Sequence, residues 1–258
     1  MTNEENDLLI KAVHEVAGNI RSLAQRADEG RAESVDVHDF INNSRYEILI
    51  MLLAQTGLAT PDDTIGAPTE DLKRKADPVL SPVGLTITQI YADARKGAAF
   101  MMQQIWGAMK DAPEYPENPR PDYDLLHSCM TFLGTEPGSD DLCALLDTTP
   151  QKFKRTDKSF ALACAYESLR SNQHLVRLFQ EQQAQIQAVR PMGIGAHFAA
   201  ARDFKQRYDE GAEQVFKDIA VLMRRSQIRH EEVKFYFLAR LQQDGDVVLY
   251  ADPREPLN

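Results

Sequence analysis

His14, His38, Asp39 and Asp93 carry imidazoles and carboxylates in an order that could converge on one divalent metal ion. A metal so held would lower the pKa of a bound water and direct it at a phosphoester. Thr149, Gln151, Lys152, Lys154 and Arg155 suit a different chemistry. Amide, hydroxyl and cationic side chains at one helix start can reach base edges and phosphates without reacting with them. A third set, Gln180, Gln183, Gln187, Tyr115 and Tyr123, has the character of a partner-contact surface. No nucleophile stands beside a base at a spacing that would activate it, so no catalytic residue is assigned and no cofactor is expected.

The cationic set belongs to a run, residues 140–156, that resembles a helix-turn-helix. The small Cys143 stands where two helices must cross closely, and Asp147 stands at the turn. Thr149 can cap the second helix, Pro150 suits its first position, and Phe153 points back to the core. The resemblance implies a DNA-binding segment. It departs from the motif at Asp147, where glycine is usual, and at Thr148, where an aliphatic is usual.

The order His14, His38-Asp39, Asp93 resembles metal-dependent phosphohydrolases of the HD type, which would imply a divalent metal. Here the pair follows Val35-Asp36-Val37 at a helix start, whereas that family has it at the end of an apolar helix. An acid near a helix start is expected simply as a partner for the dipole. Asp124 and His127 share a helical face but have no second such pair to complete a di-iron site. Glu210, Glu213, Glu231 and Glu232 are similar to the carboxylate clusters of helical nucleotide pyrophosphatases, with Lys234 and Phe235 where another acid is needed. Arg224, Arg225, Arg229 and His230 make a small basic cluster that reads as a solvated loop.

The elements that must position these residues are helical. Leu9, Val13, Val16, Ile20, Leu23 and Ala27 recur at steps of four and three, one stripe along a first helix. Asp36 would cap a second helix running to Gly57, apolar all round over residues 48–53 and so expected to have neighbours on every side. Five breakers in residues 58–83 read as loop with one short helix near residues 70–75. Thr86 and Gln89 have capping-box spacing and open a helix to about Met109. Its Gly97-Ala98-Ala99 allows close helix approach, and Met101, Met102, Trp106 and Met109 read as core filling. Four prolines mark residues 112–122 as an extended connector. A short helix over residues 123–133 follows.

A long helix from about Ser159 to Val189 should then pair with one carrying Ala201, Phe204, Tyr208, Val215, Ile219 and Leu222 as an antiparallel hairpin. At the end of the chain, Val233 to Gln242 alternates with period two before Asp244-Gly245. This predicts a β-hairpin over residues 233–251, although residues 231–243 also fit a helix.

The chain has 258 residues and a formal net charge of −10. Residues 1–150 hold 12 basic and 25 acidic side chains, and residues 151–258 hold 17 and 14. An acidic whole repels nucleic acid and anionic membrane at long range, while a local basic face can still bind. The longest apolar run, residues 48–54, is far short of a membrane span. Three cysteines without metal-type spacing and an acidic N-terminus point to reduced thiols in a cytoplasm.

The expected fold is mainly α, a compact single-domain bundle (residues 1–258) of about seven or eight helices with a short C-terminal β-hairpin. By elimination, the function expected first is a cytoplasmic, non-enzymatic protein–protein interaction protein, an adaptor or scaffold, with a protein partner or homo-oligomer and no membrane. A DNA-binding regulator using residues 140–156 is the alternative. A metal-dependent HD-type phosphohydrolase is the third.

Overall fold

The structure is a computed structural model and describes residues 3–32, 36–64, 66–111, 119–189 and 194–244. Every regular element among them is helical: α1 (Asn3–Asp28), α2 (Asp36–Asn43), α3 (Tyr46–Gln55), α4 (Glu70–Leu80), α5 (Ile87–Asp111), α6 (Pro119–Leu133), α7 (Asp140–Leu145), α8 (Pro150–Arg170), α9 (Gln173–Val189), α10 (Ile194–Arg225) and α11 (His230–Gln243). Short 3-10 turns occupy Pro61–Thr64 and Ser81–Val83. None of these helices is long and apolar enough to cross a membrane.

The described residues fall into two compact units, one within Met1–Asp111 and Pro121–Phe153, the other within Ala112–Arg120 and Lys154–Asn258. In the first unit α1 lies along α5, with α2, α3 and α4 packed around the pair. Val13, Val16, Ile20 and Leu23 of the predicted stripe are buried. Gly97 lets the two long helices meet, because a β-carbon there would come within 3.3 Å of Leu23 and 3.6 Å of Phe40. The α5 capping box forms as expected: Thr86 N–H donates to Gln89 Oε1 at 3.0 Å and Gln89 N–H to Thr86 Oγ1 at 3.3 Å. Met101, Met102, Trp106 and Met109 are all core residues.

The predicted long helices are shorter than expected, so the described residues hold eleven α-helices where seven or eight were predicted. The helix from Asp36 to Gly57 breaks at Ser44-Arg45. Asn42, Asn43 and Ser44 have short polar side chains that compete with the helical backbone. Its second half, α3, does not have neighbours on every side, since Met51 is 61% exposed. The helix over residues 159–189 breaks at Ser171-Asn172, where Asn172 Oδ1 accepts from Leu175 N–H at 3.3 Å and caps α9. Residues 119–122 belong to α6 rather than to an extended connector. Proline is tolerated in a first helical turn because no intrahelical partner awaits its missing N–H. Residues 112–118 lie outside the described residues.

In the second unit α8 supplies the central face, burying Phe160, Ala161, Cys164, Tyr166 and Leu169. The α9 and α10 helices pack side by side, as the expected pairing requires, and Arg207 bridges to Glu181 across them. The predicted first strand of the hairpin is α11 instead. Val233, Phe237 and Leu241 are buried at steps of four, while Phe235 between them is 76% exposed. The alternation in sequence was therefore a helical stripe interrupted by an outward phenylalanine. Residues 247–251 lie outside the described residues. Lys158 meets Glu232 and the Tyr166 ring lies 5.7 Å from that of Phe237, so α11 runs along α8 in the same direction.

Candidate nucleic-acid interface

The α7–α8 segment is built from its turn outwards. Ser139 caps α7, its Oγ accepting from Leu142 N–H at 3.4 Å, and Asp140 and Asp141 complement the dipole of its first turn. The helix ends in two crossed bonds, Thr148 N–H to Cys143 O at 2.9 Å and Asp147 N–H to Ala144 O at 3.4 Å. This is the Schellman pattern, and it puts Asp147 at φ +47°. The motif's usual glycine is thus explained by the backbone, which Asp147 adopts despite its β-carbon. Thr149 Oγ1 then accepts from Lys152 N–H at 3.3 Å to cap α8, with Pro150 as its first residue.

The segment is held from behind by the first unit. Leu142, Cys143, Leu146 and Phe153 are buried. Phe153 stacks on Trp106 with ring centroids 4.9 Å apart and planes 19° apart. Gln103 Nε2 donates to Leu145 O at 3.0 Å and satisfies a helix-end carbonyl. One defect remains in the turn, since Thr148 Oγ1 is buried without a partner. Replacing this hydroxyl by a methyl in Thr148→Val should raise stability by about 1 kcal/mol, because an orphaned buried donor is removed at nearly constant shape. Asp147→Gly should raise it by about 1 kcal/mol through relief of the left-handed backbone. Urea denaturation of each variant checks both.

On the outer side Thr149, Gln151, Lys152, Lys154 and Arg155 are all exposed. The first turn of α8 contains no acid, so Lys152 faces the positive end of the helix dipole uncompensated within that turn.

The metal set is not assembled among the described residues. His14 Nε2 lies 2.6 Å from Val79 O and donates to it, which removes that nitrogen from ligand duty. Asp93 pairs with Arg21 at 3.6 Å, and burial raises its pKa against the pull of Arg21 and Lys96. His38 and Asp39 fall in the first turn of α2, their side chains outside the described residues. No group of three histidine, cysteine or carboxylate side chains placed to hold a metal occurs among the described residues.

The remaining candidates separate by environment. Tyr123, expected at a partner surface, is fully buried with its ring 4.6 Å from that of His127. A tyrosine at the start of an amphipathic helix has most of its area to gain from the core, and here it lies on the buried stripe with Leu126 and Met130. Tyr115 lies outside the described residues, as do the side chains of Gln183 and Gln187, while Gln180 is exposed. Glu210 accepts from Gln206 and Glu213 pairs with Lys217, which makes both of them helix-surface groups. Cys129 lines a small cleft beside Phe40, Arg45 and Tyr46 with room for about one water. Burial pushes its thiol up to about 12, so it stays protonated and unreactive.

Sequence reasoning missed the setting of Glu232. Its carboxylate accepts from Arg229 N–H at 2.9 Å and from Lys158 Nζ at 2.6 Å. The backbone bond first and the lysine second lower its pKa to about 2. A carboxylate lowered on folding stabilises the fold above its unfolded value of about 4.5 and loses that contribution as pH falls towards 2. Acidification through this window should therefore loosen α11 from α8, read as faster amide exchange in α11. Glu232→Gln should flatten the dependence. Reading residues 231–243 with a period of 3.6 would have put Glu232 at the third position of a capping box and revealed it.

No family model matches the chain, and neither a curated protein nor a solved structure is found to match it.

Proposed function

We propose that the chain is a non-enzymatic DNA-binding protein that contacts duplex DNA through α7 and α8. One observation carries the reading. The turn between these helices has the left-handed Asp147 and the Thr149-capped start of α8, with Phe153 anchored inside and Gln151, Lys152, Lys154 and Arg155 outside. A helix so presented enters a major groove by its N-terminal end. Gln151 has the bidentate amide suited to adenine, and the cations suit guanine or phosphate. Asp140 and Asp141 repel phosphate, so the backbone contacts fall to α8.

Selection from a random-sequence duplex pool on the immobilised full-length protein tests this reading. A recurring short sequence is expected among the retained duplexes. A retained pool with no recurring sequence, or an empty one, would contradict it. Three buried cysteines, none of them in a disulfide, fit the reducing conditions of a cytoplasm.

A protein–protein interaction protein is the second reading, favoured by Phe198 on α10 and Phe235 on α11, which are 73% and 76% exposed. Single exposed apolar residues are common, but rings of this size are the usual anchors of interfaces. Sedimentation over a range of concentrations should then show association that Phe198→Ser with Phe235→Ser removes.

A further inference from the structure

We infer that Lys154, Arg155, Lys158, Arg224, Arg225 and Arg229 form one phosphate-binding surface for duplex DNA. The inference rests on the DNA-binding reading and adds a second contact surface to it. The two basic stretches lie some seventy residues apart in the chain, and Glu232 joins them. Its Oε1 accepts from Lys158 Nζ at 2.6 Å, and its Oε2 lies 3.7 Å from Arg229 Nε.

Each stretch is ordered locally around that carboxylate. Lys154 and Arg155 precede Lys158 by four and three residues, so all three share one side of α8. Arg224 and Arg225 end α10, and the chain reverses at once. Ile228 N–H bonds to Met223 O at 2.8 Å and Gln227 N–H to Arg224 O at 3.3 Å, with Gln227 at φ +52°. This second Schellman turn brings the end of α10 next to Arg229. The His230 ring lies 3.7 Å from that of Phe216, which lays the start of α11 on α10.

Charge and exposure favour a phosphate backbone. Glu232 serves two cations at once, Glu231 is exposed, and Asp157 lies on the buried side of α8. The six cations therefore outnumber the carboxylates facing them, in a chain whose net charge is −10. Arg229 is 78% exposed and can leave Glu232 for a stronger anion. Cations spread over two helices and the turn that follows the second match a strand of repeating phosphates, whose contacts position a protein on the duplex without reading sequence.

The test is fluorescence anisotropy of a labelled random duplex with Arg224→Glu/Arg225→Glu, two residues that leave Glu232 and the α7–α8 turn untouched. Circular dichroism checks the fold. An affinity loss of about tenfold or more is expected, with a salt slope lower by about one for each cation removed. Unchanged affinity, in a series where Lys152→Glu/Lys154→Glu/Arg155→Glu does lose binding, overturns the surface and leaves the α7–α8 reading standing. Failure of the unaltered protein to bind overturns both. Salt-sensitive self-association that Arg224→Glu/Arg225→Glu abolishes, with DNA affinity unchanged, assigns the surface to an acidic protein partner and overturns the inference.

Discussion

Lys152→Glu/Lys154→Glu/Arg155→Glu should lose about 100-fold or more in duplex affinity at moderate salt, while its melting temperature stays level or rises. The binding loss follows from three removed phosphate contacts and three new repulsions, each acting through the counterion-release term that dominates such affinities. The stability gain has the opposite electrostatic origin. These side chains are exposed at the start of α8, where a carboxylate interacts favourably with the dipole and a cation does not. A protein that kept its cations here for stability would melt lower after reversal. Anisotropy and a thermal melt on one preparation separate the two roles. Retained binding would remove α8 from the interface.

Trp106→Ala should destabilise the first unit by about 3–5 kcal/mol, the range for deleting a large buried aromatic. Trp106 is 1% exposed and carries the stacked ring of Phe153. The deletion leaves Phe153 facing a void, so the start of α8 loses its anchor and duplex binding should weaken with the fold. Trp106→Phe keeps a ring for Phe153 to stack on and discards an indole N–H that is buried without a partner. It should cost far less and retain binding. Urea denaturation followed by circular dichroism gives both values. Equal losses for the two variants would contradict the stacking role.

The parts of the fold readable in the sequence were those with strong local signals. The α1 stripe, the Thr86–Gln89 box and the small-residue run at Gly97 each depend on residues within a few turns of one another. The α7–α8 segment was readable for the same reason, since its cap, first proline and buried phenylalanine lie within sixteen residues. Helix ends at Ser44 and Asn172 were missed because a polar pair can end a helix or decorate it, and periodicity runs past either. The strand expectation at Val233–Gln242 failed because period two and period 3.6 coincide at steps of four, and Phe235 filled the gap between them. The Lys158 side of the Glu232 junction could not be read, as it joins residues 74 apart through packing that only the folded chain supplies, whereas the Arg229 side is a local capping contact.

The proposed function has an acidic chain bind duplex DNA through a local basic element. The most direct measurement is anisotropy of a labelled random duplex titrated with the full-length protein at about 50 mM and about 200 mM salt, because sequence-specific DNA binders keep a non-specific affinity that falls steeply over this range. Binding is expected at the lower salt and should weaken by at least tenfold at the higher. No binding at either salt would contradict the proposed function.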